Sequence, residues 1–273
     1  MVSSADAPPP RVLAAFGAAG PAERMAGGQG RTWLARPGIV LKRVGLAEET
    51  AWRAEVLSAL PPSPKFRVAL PVSAGDGAWT VCGWEAWHQV AGAADLTRHD
   101  EILSVCEAFH ATLRGVDRPA FLDLRDDPWT YGERVAWQEL PIDGPAAWVE
   151  PLERLGRARR VVDLPAQPVH GDASGNVLFA AGMPPAVIDW PVYFRPASWA
   201  TAIAAVDLIT WAAAPAALLD RWTHLRAWNQ MLVRALMYRI ATNVGLLRIG
   251  APLRESPSDY RPAVAAVISR LSV

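Results

Sequence analysis

The sequence predicts an α+β chain of two lobes, a small one built on an antiparallel sheet and a larger one that is mostly helical. Three observations predict it. Glycine-rich bends alternate with short apolar strands over residues 27–43, helical apolar patterns recur over 48–60, 99–113 and 216–247, and a polar loop sits between short strands over 167–190. At 273 residues the chain is long enough for two lobes.

In chain order, residues 1–19 are expected as a leader with a short opening helix near 11–20, and residues 20–87 as the small lobe. Gly27, Gly28 and Gly30 precede the apolar Trp33 and Leu34, and Pro37-Gly38 turns the chain into Ile39, Val40, Leu41 and Lys42. That order reads as a hairpin followed by a third strand. A backbone without Cβ can come close to phosphate oxygens and offer N–H groups to them, and Lys42 would neutralise the same phosphates. Glu48-Glu49 opens a helix that Pro61-Pro62 ends, with Ala51, Trp52, Ala54, Val56, Leu57 and Leu60 apolar. Glu49, one turn before Arg53, is placed to orient Lys42, and Glu55 is the alternative. Residues 66–73 and 78–83 read as strands around Gly75-Asp76-Gly77, and 83–92 as a connector along which an adenine ring would pass.

The larger lobe is expected over 88–273. Ile102, Leu103, Val105, Cys106, Phe109 and Leu113 support a buried helix in which His110 is a packed histidine. Residues 117–146 carry many turn formers. Beyond them, 216–247 reads as one long core helix.

Chemistry concentrates in 167–190, where His170-Gly171-Asp172 is followed by Asn176, a short strand at 177–179, a turn at Gly182 and Val187-Ile188-Asp189. Two strands joined by that turn bring Asn176 and Asp189 to one end. For phosphoryl transfer, Asp172 suits the proton of an attacking hydroxyl, Asn176 and Asp189 are hard oxygen ligands for Mg2+ on the phosphates of ATP or GTP, and His170 braces the loop. Arg195 and Asp207 follow on the acceptor side, each with a bracing role as the alternative. Ser174 lies near His170 and Asp172 but outside any nucleophile elbow, which argues against a hydrolase triad.

Composition narrows the class. Lys plus Arg and Asp plus Glu each number 27, and the short cluster Arg154, Arg157, Arg159 and Arg160 reads as a solvated face, so a nucleic-acid surface is not implied. Cys82 and Cys106 alone suit a reducing cytoplasm rather than a disulfide scaffold. No uninterrupted apolar run is expected to span a membrane, because Asp207 and Pro215 break 197–218. The 13 Trp residues are expected mostly in the core or the cleft wall.

With its His170-Gly171-Asp172 loop, Asn176 and Asp189-Trp190, the chain resembles the aminoglycoside phosphotransferase-like superfamily, and an actinobacterial branch within it. The resemblance extends more weakly to the glycine turn, Lys42, the 48–60 helix and Phe109-His110-Ala111, over most of 20–250. It implies the two-lobed protein-kinase-like fold and a small-molecule kinase that transfers the γ-phosphoryl group of ATP or GTP, with Mg2+, to an acceptor hydroxyl. The protein would act as a monomer or homodimer. Two departures stand out: Asp172 and Asn176 are four positions apart where the family usually has five, and the family's helix glutamate falls near Arg53. They support the alternative of a nucleotide-binding pseudokinase or regulatory protein with little turnover.

Overall fold

The computed structural model describes residues 7–25, 31–253 and 255–271. Along the chain run α1 (Pro10–Ala15), β1 (Ala19–Arg24), β2 (Thr32–Arg36), β3 (Ile39–Arg43), α2 (Ala47–Ala59), β4 (Arg67–Val68), β5 (Thr80–Val81), β6 (Trp84–His88) and β7 (Ala93–Ala94). Then come α3 (His99–Thr112), α4 (Pro128–Ala136), α5 (Ala146–Ala158), β8 (Gln167–His170), β9 (Val177–Phe179), β10 (Ala186–Val187) and β11 (Val192–Arg195). The chain closes with α6 (Ala197–Trp211), α7 (Leu218–Arg221), α8 (Trp228–Arg248) and α9 (Arg261–Ser269). Two units result, residues 1–93 with 178–188 and residues 94–177 with 189–273.

In the first unit an antiparallel sheet has the order β1-β2-β3-β6-β5. Strand alternation gives it two different faces. Leu41 pairs with Ala86, and together with Ile39 and Trp84 they bury against Val12, Leu13 and Phe16 from α1 and the turn after it. Lys42 pairs with Glu85 on the opposite face, where α2 supplies Thr50 and Arg53. The Thr50 hydroxyl donates to Glu85 at 2.5 Å and Arg53 donates at 2.9 Å, while the Arg53 guanidinium lies 5.5 Å from the centre of the Trp87 ring. Residues 84–88, expected as part of a connector, are therefore a strand. Trp84 to Trp87 are buried on both faces, and burial on both faces erases the polar alternation that would have marked it. The expected turn at Gly27, Gly28 and Gly30 lies outside the described residues.

A second sheet, β4-β10-β9-β7, has β4 and β10 parallel, with Arg67 opposite Ala186. Arg67 donates to the carbonyls of Pro184 and Ala91. Gly92, at φ +130°, lets the chain pass β9 so closely that a Cβ there would stand 2.9 Å from the Phe179 carbonyl.

In the second unit α8 is buried for most of its length and packs against α4, α5, α6 and α9, while α3 packs on α6. Helix α4 begins where the sequence shows only a turn-rich stretch. Asp127 caps it by accepting from the Trp129 and Thr130 N–H groups, and Pro128 occupies the first turn, where no N–H is needed. Its other end is held by Arg159, which donates to the carbonyls of Val135 and Ala136. So one member of the expected solvated arginine cluster turns inward to meet orphan carbonyls. The long helix expected over 216–247 is broken into α7 and α8, because Trp228 donates its indole N–H to the Leu219 carbonyl and Ala227 takes φ +52°. Among the described residues no helix is long and apolar enough to cross a membrane.

Two close contacts fix this unit. At Gly132 the backbone of α4 lies so near α8 that a Cβ would collide with the Thr242 hydroxyl and come within 2.6 Å of the Tyr238 carbonyl. On α3, His110 is buried and its Nε2 accepts from the His170 N–H at 2.9 Å, tying α3 to the end of β8. Burial, with His170 adding to it, holds the His110 imidazole down at about 3 from its usual 6.5.

Gly132→Ala is expected to destabilise the protein by about 2 kcal/mol or more, since backbone on both sides must move apart; urea unfolding measures it. The pH dependence of His110 has a definite sign. Its folded-state value is depressed, so the stability carried by its neutral form is complete above pH 6.5 and drains as pH falls toward 3. His110→Gln keeps an acceptor for the His170 N–H and removes the titration. Between pH 7 and 5 the variant should lose about 2 kcal/mol less stability than the parent chain.

Candidate active site

Strand β8 and strand β11 form an antiparallel ribbon with His170 opposite Val192, and the 171–176 loop leaves from its end. The loop's backbone is met by side chains and neighbouring carbonyls rather than by a ladder. The Gly171 N–H donates to the Pro191 carbonyl at 3.1 Å, and the Asp172 N–H donates to Nδ1 of His170 at 3.1 Å. His170, fully buried, braces the loop through that bond and has no solvent face from which to transfer a proton. Trp190 donates its indole N–H to the Val169 carbonyl at 3.0 Å, while its ring meets Phe109 edge-on.

Gly171 is required by packing. The Tyr193 ring lies directly over it, and a Cβ would meet ring carbon Cδ2 at 2.5 Å. Tyr193 is in turn wedged among Trp199, Tyr238 and the Arg125 guanidinium, which lies 4.8 Å from its ring centre. Arg125 also donates to the Val192 carbonyl at 2.7 Å.

The four-residue spacing from Asp172 to Asn176 closes as a tight turn. The Asn176 N–H donates to the Ala173 carbonyl at 3.0 Å, and its side-chain Nδ2 donates to the Asp172 carbonyl at 2.6 Å. With the amide nitrogen directed into the loop, the amide oxygen is the atom left for a ligand. Strands β9 and β10 are neighbours joined by residues 180–185, a connection too short for a parallel crossover, so they run antiparallel. Asn176, just before β9, and Asp189, two residues past β10, therefore lie at the same end. Asp189 has φ +51°, a left-handed conformation that aspartate tolerates better than most residues and that clusters at functional sites.

Asp172 is half-exposed and ion-paired through Oδ1 with Nη2 of Arg239 on α8 at 2.6 Å. Arg239 also grips Asp207, with Nε to Oδ1 at 2.8 Å and Nη2 to Oδ2 at 2.6 Å. Ser174 donates its hydroxyl to Asp207 at 3.1 Å. Asp207, expected on the acceptor side, is thus an interior group only 1% exposed and closed to a substrate. Burial pushes its carboxyl up to about 6, with Arg239 pulling the other way. Arg195 is taken up by Glu133 and Glu139 and stacks on Trp137, so it braces α4 and the segment beyond it rather than presenting a free cation. The cavity that Arg195 lines, of about 180 Å3, is also lined by Arg118, Arg125, Arg134, Glu133 and Tyr193.

Lys42 and Glu49 belong to the first unit, each half-buried, with Lys42 opposite Glu85 in the sheet. Sequence reasoning missed Glu85 and Arg239. A glutamate inside the aromatic strand Trp84–His88 and an arginine inside the apolar stripe of α8 were the available signals. Among the described residues no three His, Cys, Asp or Glu side chains converge as a metal cluster. An Asn amide oxygen and one carboxylate at the end of a hairpin do fit magnesium, which takes few protein oxygens and completes its shell with phosphates and water.

No protein-family model and no curated protein matches the sequence. Solved structures do. The microcompartment-associated aminopropanol kinase is similar over 96% of this chain and 95% of its own, with a TM-score of 0.67 at 15% identity. A choline kinase, LicA from Streptococcus pneumoniae, is similar over 94% and 96% with a TM-score of 0.58 at 11% identity. A choline/ethanolamine kinase family protein from Mesorhizobium loti is similar over 96% and 89% with a TM-score of 0.56 at 15% identity. The chain therefore has the two-lobed protein-kinase-like fold that these small-molecule kinases share.

Proposed function

We propose that the protein is a small-molecule kinase that transfers the γ-phosphoryl group of ATP or GTP to a hydroxyl of a metabolite. The observation that carries this reading is the tight Asp172–Asn176 turn at the same end of the hairpin from which Asp189 emerges. The fold shared with an aminopropanol kinase and a choline kinase supports it.

In this reading Asp172 receives the acceptor hydroxyl as a hydrogen-bond donor, aligns its oxygen with the phosphorus, and takes its proton as the new O–P bond forms and the bond to the departing nucleoside diphosphate breaks. Asn176, through its amide oxygen, and Asp189 hold magnesium. That ion supplies neutralisation of the phosphate charge. On the first unit, Lys42, oriented by Glu49, is the group this reading assigns to neutralise phosphate charge. His170 keeps the loop in register.

A second reading, a nucleotide-binding protein with little turnover, draws on Arg53. It stands near where the resemblance expects the helix glutamate and is committed to Glu85.

Incubation with γ-labelled ATP or GTP, magnesium and a metabolite extract, followed by mass spectrometry of labelled products, tests turnover and acceptor together. Tight nucleotide binding without any labelled product would favour the second reading. Asp172→Asn is expected to lower kcat by about 10²- to 10⁴-fold while nucleotide affinity stays within about threefold; full transfer by that variant would exclude the assigned role. Asp189→Asn should instead remove the magnesium dependence of nucleotide binding, measured by calorimetry with and without the ion, and weaken binding about tenfold or more.

A further inference from the structure

Arg239 sits in the middle of α8 with its side chain only 6% exposed. Burial opposes its charge, but Asp207 and Asp172 outweigh burial and hold the guanidinium well above its ordinary range. Asp207 alone would satisfy it, since Nε and Nη2 meet the two oxygens of that carboxylate side by side. The contact from the same Nη2 to Asp172 is additional, and the Asp172 side chain, 48% exposed, has water to solvate it. The Asp207 grip fixes the plane of the guanidinium, the rings of Tyr238 and Trp211 lie beside it at 5.0 and 5.1 Å, and Nη2 then projects toward the loop. One Asp172 oxygen is thereby tied down. The other, Oδ2, stands 3.4 Å from the Asn176 amide nitrogen.

We infer that Arg239 is a positioning residue for phosphoryl transfer: clamped by Asp207, it holds the Asp172 carboxylate in the one rotamer that turns its second oxygen toward the acceptor hydroxyl. The functional half rests on the kinase reading above, and the geometric half does not. Lysine cannot replace it, because a single ammonium lacks the planar fork needed to take two carboxylates in fixed directions.

The test uses the full chain in three forms. Arg239→Met leaves Asp207 buried and unpaired and is expected to fold poorly. Asp207→Asn combined with Arg239→Met removes both buried charges, keeps an oxygen for Ser174 and should fold. Arg239→Lys keeps the charge without the fork. In a crystal structure of the double variant, the Asp172 carboxylate is expected to leave its position or to occupy several rotamers, and an unchanged single rotamer overturns the proposal. In parallel, ADP release from Mg-ATP should show kcat down at least 100-fold in both the double variant and Arg239→Lys, with KM for Mg-ATP within threefold. Recovery of kcat in the double variant would mean that Arg239 serves stability alone and would likewise overturn it. A parent chain that releases no ADP counts against the kinase reading itself, and the rotamer comparison then decides the Arg239 geometry independently.

Discussion

A guanidinium buried inside a helical core has to be met by carboxylates, and in this protein that requirement organises the neighbourhood of the candidate site. Arg239 rises from α8, Asp207 answers it from α6, and Asp172 answers it from the loop after β8. Removing a charge from water costs several kcal/mol per ion unless partners and hydrogen bonds replace the solvent. Here the partners come from three segments distant in sequence, so α6, α8 and the loop take up one mutual arrangement. Ser174 extends the same constraint to the middle of the loop.

The loop's backbone is handled on the same principle. A strand would satisfy its N–H and C=O groups by pairing, whereas a tight polar turn cannot, and buried groups left unmet cost about 1–3 kcal/mol each. His110, His170 and Pro191 each meet one of those groups in 170–172, with Trp190 doing the same for Val169. The Tyr193 ring then closes over Gly171, where no side chain can stand. What results is a short loop held at its roots, with half-exposed polar side chains at Asp172 and Asn176. This combination suits chemistry that depends on placement more than on intrinsic reactivity.

Arginine and tryptophan carry much of the remaining architecture. Arg195 and Arg234 both lie against Trp137, Arg43 lies against Trp84 and Arg53 against Trp87. Such pairs let a cation lie against an apolar core with its edge donors free for carbonyls and carboxylates. In the sequence they look like a balanced surface charge with an odd surplus of indoles. The basic stretch 154–160 shows why the pattern misleads: charge alone gives no direction, and Arg159 points inward only because α4 ends there with open carbonyls.

The sequence by itself determined the local parts: the three-strand opening with Lys42 on β3, the α2 helix, the polar turn from Asp172 to Asn176 and the hairpin leading to Asp189. Each follows from backbone rules that act over a few residues, such as glycine and proline at turns, apolar periodicity, and carboxylates at helix starts. The turn-rich stretch before α4 also held its answer locally, since Asp127-Pro128 is a cap followed by a first-turn proline. Only the tertiary structure decided which polar residues face one another. Asp207 turned from a prospective acceptor contact into the inner partner of Arg239, Glu85 emerged opposite Lys42, and residues 84–88 became a strand. These outcomes depend on pairings across 32 to 67 residues, as between Arg53 and Glu85 or Asp172 and Arg239. The partner that neutralises a buried charge is chosen by how helices and strands pack, and no spacing within either segment records it.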